Sequence, residues 1–174
     1  MKPLNNPELT DGVILLRPLS AEDADAHLAG EDDDMAKWLS GGRSTLASVE
    51  KFIEVCQENW RTGGPRRAFG VFDCVNNRLV GFAEVNLALL TEPSQANVSY
   101  GIFRPWRRKG LALRTIQLIS EYLRTATDAR QMVLRIAPAN VVSLKLAEKA
   151  GFAFCGLFEE PEGPLLRYVR DLRS

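Results

Sequence analysis

The 174-residue chain is poor in the residue types that carry metal or disulfide chemistry: it has one histidine, His27, and three cysteines. A single histidine excludes a histidine-rich zinc site, and no Cys/His cluster compensates for it. A catalytic triad on His27 would need a carboxylate and a nucleophile that no motif supplies. Cys56, Cys74 and Cys155 are odd in number and form no CxxC pair, and each sits in an apolar stretch. They read as reduced core residues of a cytosolic protein. No apolar run approaches the ~18 residues of a membrane span, and the opening Met-Lys-Pro-Leu-Asn-Asn-Pro lacks the apolar core of a signal peptide. Net charge is absent as well, since 22 Lys plus Arg balance 22 Asp plus Glu. That excludes a strongly basic nucleic-acid binder or an acidic disordered tail as a description of the whole chain. What remains is the composition of a soluble, cytoplasmic globular protein, with 45% hydrophobic residues. The length suits one domain over 1–174, with 1–12 as an extended N-terminal segment, and buries a core without disulfides or a structural metal.

The pattern along the chain is mixed. Val13 to Pro18 is a short apolar run closed by proline, which suits a strand. Ser20 with Asp23 forms a capping box for a helix that runs into Gly30. Thr45 starts a second helix, in which Val49, Phe52, Ile53 and Cys56 keep helical spacing up to Trp60, and Gly63-Gly64-Pro65 ends it. The period then changes to strands over Ala68–Val75 and Leu79–Leu89, joined at Asn76-Asn77 by a tight turn, and over Asn97–Phe103. A long helix from Leu111, a strand Met132–Ile136, a helix Val141–Ala150 stopped at Gly151, and strands Phe152–Phe158 and Leu165–Val169 follow. The order β-α-α-β-β-β-α-β-α-β-β, without repeat or linker, describes an α+β fold with mostly hairpin-connected strands.

One segment breaks the charge balance. Arg104, Arg107, Arg108, Lys109 and Arg114 surround Gly110 and Ala112, with no acid between 104 and 114. They sit where a strand passes into a helix. A helix start has unpaired N–H groups and the positive end of its dipole, Gly110 permits close backbone approach, and Ala112 leaves room. The chemistry suggests a pyrophosphate. Neither the Walker pattern GxxxxGK[ST] nor the dinucleotide pattern GxGxxG is present. A second segment, Asn140-Val-Val-Ser143 running to Glu148-Lys149-Ala150-Gly151-Phe152, places an asparagine cap and a serine at the start of another helix.

Together these segments resemble the GNAT superfamily of acyl-CoA-dependent N-acyltransferases. Its signature [QR]-x-x-G-x-[GA] is matched by Arg107-Arg108-Lys109-Gly110-Leu111-Ala112, and its later Asn-x-x-Ser/Ala and Glu-Lys-x-Gly-Phe pattern by Asn140, Ser143 and Glu148 to Phe152. Leu16-Arg17-Pro18-Leu19, Val80-Gly81-Phe82 and Ser99-Tyr100-Gly101-Ile102 also fit, most like the branch containing the ribosomal-protein N-terminal acetyltransferases. The resemblance spans Val13 to Val169. It implies a twisted, mostly antiparallel sheet of six to seven strands with about four helices. The fourth and fifth strands (Asn97–Phe103 and Met132–Ile136) splay to admit acetyl-CoA, with no metal. The pantetheine arm would pair with backbone around Ile102, Phe103 and Arg104. The pyrophosphate would lie on the N–H groups of Arg107, Arg108, Lys109, Gly110, Leu111 and Ala112, with Asn140 and Ser143 on the cofactor arm. Pairing into homodimers is an open option for such domains.

Acetyl transfer to an amine needs a neutral amine, a polarised thioester carbonyl and a protonated leaving thiolate. Glu84, which interrupts an apolar strand, is the candidate base. The branch's carboxylate before the Gly-Tyr of the fourth strand is replaced by Asn97. The family's tyrosine acid falls at Ala147, so the branch's serine, Ser143, is the candidate acid, with Tyr100 as a second cleft residue. Residues 22–34 hold seven acids and no Lys or Arg. Glu31 and Asp32, with Trp38 and Tyr100, are therefore candidate acceptor-side residues for a cationic amine such as a polyamine, an aminoglycoside or a basic protein N-terminus. A solvated acidic surface is the plainer reading of that run. The alternative function is a non-catalytic acyl-CoA-binding or protein-interaction member of the same fold. The basic segment is too short and too poor in aromatics for a nucleic-acid site, and no membrane partner is expected.

Overall fold

A computed structural model of the protein describes residues 6–173. Eight strands form one sheet: β1 (Leu9–Thr10), β2 (Ile14–Pro18), β3 (Arg66–Asp73), β4 (Leu79–Asn86), β5 (Gln95–Ile102), β6 (Gln131–Ile136), β7 (Ala153–Glu160) and β8 (Gly163–Asp171). Their spatial order is β1-β2-β3-β4-β5-β6-β8-β7. Every pairing is antiparallel except β5 with β6. Five α-helices accompany the sheet: α1 (Ala24–Gly30), α2 (Asp33–Met35), α3 (Leu46–Thr62), α4 (Leu111–Ala126) and α5 (Val141–Lys149). The sheet thus has one or two strands more than the sequence suggests, and one helix more. Part of the expected extended segment, Leu9–Thr10, pairs with β2; residues 1–5 lie outside the described residues. The second addition is at Asp32, which caps the single turn α2 and passes into a π-helical turn, Ala36–Ser40, closed by Gly41 in the left-handed region.

The caps read from the sequence form. Asp23 accepts from the Ser20 N–H and hydroxyl, and Thr45 accepts from Ser48 N at the start of α3. Gly63 and Gly151 take positive φ past their helices. The alternation of strand side chains then divides the molecule into two layers. On one face, Leu111, Ile116, Ile119 and Leu123 of α4 and Ala147 of α5 pack on Leu16, Phe69, Val71, Val85, Val98, Leu134 and Tyr168. On the other face, α1 and α3 contribute Ala24, Val49, Ile53 and Cys56 against Leu19 and Ala68. Arg67, 4% exposed, donates to the Tyr122 hydroxyl and to the Gly63 and Gly64 carbonyls at the negative end of α3.

The cysteines depart from expectation. All three are free and only Cys56 is buried, where burial pushes its thiol up to about 12. Cys74 follows β3 at the β3–β4 turn, and Cys155 lies on β7. β7 is the edge of the sheet, so apolar neighbours in sequence are not neighbours in a core.

Candidate functional site

The sheet opens in its middle. β5 and β6 pair only through Gln95, Ala96 and Asn97 opposite Gln131, Met132 and Val133. Beyond that point 98–102 remains paired with β4 on its other side, and 134–136 with β8. The two strands therefore diverge with facing edges that carry backbone donors and acceptors. This is the splay expected of the fourth and fifth strands, which are β5 and β6 once β1 is counted.

The loop leaving β5 leads directly to the helix start. Phe103 N donates to Val80 O, and the buried Ile102 and Phe103 fix the exit of the strand. Arg104–Trp106 makes a 3-10 turn. Arg108 (φ 61°) and Gly110 (φ 76°) then turn the chain through the left-handed region into α4. Around a Cβ at Gly110 there is nothing within 4 Å, so the turn is open on its outer side. Arg114 N bonds back to Gly110 O, but the N–H groups of 108–113 find no partner among the described residues. Leu111 is buried and Ala112 half-buried, whereas Arg108 and Lys109 are exposed, with the Lys109 Nζ over the Trp106 ring at 4.9 Å. Free N–H groups, the helix dipole and flanking cations make this junction fit a pyrophosphate. Arg104 and Trp106 also line an open depression of about 580 Å³ beside α1.

Arg107 faces elsewhere. Its guanidinium grips Asp32 at 2.8 and 3.0 Å, lies 3.5 Å from Asp34, and donates through Nε to Ile102 O at 2.8 Å. Burial raises the Asp32 carboxyl, but Arg107 and the Met35 N–H outweigh it and hold the group below its usual value. Glu31 accepts from Ser44 N, Asp33 pairs with Arg43 and Asp23 with Arg17. Four of the seven acids at 22–34 thus meet a base: Asp23 and Asp33 one nearby in the chain, Asp32 and Asp34 the remote Arg107, which spacing along the chain does not reveal. Trp38 is half-buried in the π turn with Lys37 over its ring.

On the α4–α5 face of the opening, Tyr100 of β5 meets Ser143 of α5. The two hydroxyls are 3.3 Å apart, and Asn140 Oδ1 accepts from Ser143 N at 3.3 Å. Burial raises the Tyr100 hydroxyl and the Ser143 contact opposes that rise. On the opposite face, Glu84 of β4 lies opposite Ser99 of β5 and bonds Arg66 Nε at 2.9 Å. Burial pushes its carboxyl above the ordinary value, with the Arg66 guanidinium working against that. Sequence reading missed Arg66, because the contact depends on the β3–β4 register that sets Ala68 opposite Glu84 and Arg66 two residues further along. Asn97 is buried and accepts from Arg135 Nε at 3.0 Å. His27 is 7% exposed among Phe52, Phe82 and Phe103, and neither ring nitrogen has a partner. Among the described residues no group of three or more His, Cys, Asp or Glu side chains stands together as a metal site, and no helix is long and apolar enough to cross a membrane.

A strand pair that diverges beside a helix start lined with free N–H groups is built to hold an extended anionic ligand between two halves of a sheet. The Acetyltransferase (GNAT) domain family matches residues 14–153, and the chain belongs to that family. It is 25% identical over 145 residues, 80% of each chain, to the Bacillus subtilis (strain 168) protein called Probable N-acetyltransferase YjcK. The fold is that of an acetyltransferase of the GNAT family from Bacillus anthracis, with TM-score 0.82 and 18% identity over 97% of this chain and 100% of the other. It is also that of RimL, a ribosomal L7/L12 alpha-N-protein acetyltransferase solved with coenzyme A. Here the TM-score is 0.81, with 15% identity over 95% of this chain and 98% of the other.

Proposed function

We propose that the chain transfers an acetyl group from acetyl-CoA to the nitrogen of an amine by direct attack within a ternary complex. The observation that carries this reading is the combination of the β5–β6 divergence with the unpartnered N–H groups of 108–113. An extended pantetheine-like arm fits the free edge of 98–102, and a pyrophosphate fits the start of α4. The RimL relative was solved with coenzyme A, which agrees with that fit. Acetyl-CoA supplies the activated thioester; the remaining work falls to groups of the protein.

Glu84, with its carboxyl raised by burial, takes the proton that the ammonium must lose. A backbone N–H at the end of β5 near Ile102 polarises the carbonyl. As the N–C bond forms the C–S bond breaks, and the leaving thiolate takes a proton from Ser143 or from Tyr100, whose hydroxyls are in contact. One proton leaves the amine and one enters the thiol, so the reaction is balanced without metal or redox chemistry.

The test is calorimetric titration with acetyl-CoA, CoA and ATP, followed by thiol-release assays on a panel of amines. Selective binding of the CoA species and amine-dependent thiol release are expected. Equal binding of ATP, or none of CoA, would overturn the cradle. Tight CoA binding with no thiol release from any amine would favour the non-catalytic reading.

A further inference from the structure

The face of the sheet that carries Glu84 also carries a compact positive cluster at the divergence. The register places Glu84 opposite Ser99, Asn97 opposite Val133, and Arg135 opposite Arg167. By strand alternation Glu84, Asn97, Ser99, Arg135 and Arg167 share this face. Glu160, from the end of β7, serves both arginines: its Oε1 accepts from Arg167 Nη2 at 3.0 Å and lies 3.4 Å from Arg135 Nη1. The three side chains retain only 22%, 23% and 15% exposure for Arg135, Arg167 and Glu160. The Arg167 guanidinium carbon lies over the Phe158 ring, 3.9 Å from its centroid, and its Nε is buried without a partner. Arg167 and Arg135 hold the Glu160 carboxyl below its ordinary range, so it is ionised.

Two guanidiniums share one carboxylate and the neutral amide oxygen of Asn97, leaving one positive charge in surplus in a half-buried place. A half-buried surplus cation is costly unless an anion completes it, and the planar guanidinium is matched to carboxylate. Of the acids on this face, Glu84 is matched by Arg66, and Asp171, at the far end of β8 opposite Gln131, accepts from the Gln131 amide. Within the acidic run that would attract a cationic acceptor, Asp23, Asp33 and Asp32 are engaged by Arg17, Arg43 and Arg107. Glu84 and Arg135 lie two strands apart, about 10 Å at the backbone before the splay is added. The ammonium and carboxylate of one small molecule, met by long side chains, bridge such a span.

On this basis, and resting on the acetyl-transfer reading above, we propose that the acceptor is a free amino acid. Its carboxylate docks on the half-buried guanidiniums of Arg167 and Arg135, and its amino group is turned toward Glu84. Arg135 and Arg167 thereby set specificity, a role distinct from the proton transfers.

The experiment compares matched acceptors, a panel of amino acids against their amides and decarboxylated amines, by kcat/KM for thiol release at saturating acetyl-CoA. In parallel, the CoA-loaded protein is titrated calorimetrically with the same compounds, which reads acceptor binding without turnover. The acids are expected to be preferred at least about tenfold, and Arg167→Gln and Arg135→Gln to erase that preference through KM. Arg167→Lys, which keeps the charge but loses the planar donor, should recover part of it. Amides or amines that perform as well as the acids would overturn the proposal while leaving acetyl transfer intact. An unchanged preference in both Gln variants would also overturn it. The matched-pair comparison needs no variant, so a failure of either substitution to fold leaves the test standing. Failure to bind CoA at all, or to turn over any amine, would sink the acetyl-transfer reading and this one with it.

Discussion

The Arg66–Glu84 contact sets up a quantitative experiment on the proton acceptor. Arg66→Met keeps an apolar stem of similar length and removes the guanidinium, which lies 5.3 Å over the Phe52 ring and is bonded at 2.9 Å to the Glu84 carboxylate. Unit charges ~4 Å apart interact by ~1 kcal/mol in water and ~4 kcal/mol at the effective dielectric of a protein surface. Arg66 is 44% exposed on its side chain, so water and salt screen it and the lower end applies. At ~1.4 kcal/mol per pKa unit, loss of the guanidinium should raise the Glu84 carboxyl by about one unit. The sign follows from the balance at the site: burial already raises this group, and Arg66 alone opposes it. A base must be ionised to work, so the acid limb of kcat/KM for the acceptor should move up by about one pH unit in Arg66→Met. It should return in Arg66→Lys and disappear in Glu84→Gln. The assay is thiol release across roughly pH 5 to 9, the range in which raised carboxyls and acceptor amines titrate. Coincident limbs in wild type and Arg66→Met would refute Glu84 as the base.

Three other perturbations follow from the packing. Ser143→Ala and Tyr100→Phe should each slow kcat by roughly 10²-fold with the acetyl-CoA Kd unchanged. The double variant should be no worse than the weaker single one, because the hydroxyls act as a unit; full additivity would separate them. His27 is buried with its pKa lowered by desolvation, against the opposing charges of Glu31 and Asp23. Below about pH 6.5 the unfolded chain therefore binds a proton that the folded chain does not, and stability falls with pH toward the lowered folded value. His27→Leu should flatten that part of the curve of urea midpoint against pH; curves that stay parallel would exclude His27 as its source. Tyr122→Phe takes from the buried Arg67 an acceptor at 2.6 Å and should cost about 1–3 kcal/mol in denaturant unfolding. A neutral result would mean the Gly63 and Gly64 carbonyls suffice.

What the sequence made legible is what local physics decides. Thr45, Asn140 and Gly151 announce helix ends because a cap is made with groups three or four residues away, and Val49, Ile53, Cys56 and Trp60 of the α3 pattern are buried while Phe52 is half-buried. The Gly110 junction was readable for the same reason. The segment 31–42 was not: its acids hide a turn of helix and a π turn, and the guanidinium that grips Asp32 comes from Arg107, far off in sequence. Cys74 and Cys155 looked like core residues because periodicity reports apolar neighbours along the chain, not whether a strand lies at the sheet's edge. Arg66 with Glu84, and Arg135 with Glu160 and Arg167, are products of register. A residue's partner across a sheet is fixed by the pairing of whole strands, and one slip would send each to the opposite face.

The limited contact between β5 and β6 has a mechanical consequence. β1 to β5 form one slab and β6, β8 and β7 another, and the sheet joins them at one end, through three residue pairs and the Gln95–Gln131–Asp171 side-chain chain. Within the sheet the slabs are pinned at one end like a clothes-peg, and the jaws are bridged by the core under α4 and by the Tyr100–Ser143 and Arg135–Asn97 contacts. An arm laid along 98–102 would act as a spacer that clamps the jaws at a fixed gap. Opening of one slab against the other would then set how readily the spent arm leaves. Amide hydrogen exchange along the free edge of 98–102 reports that opening residue by residue.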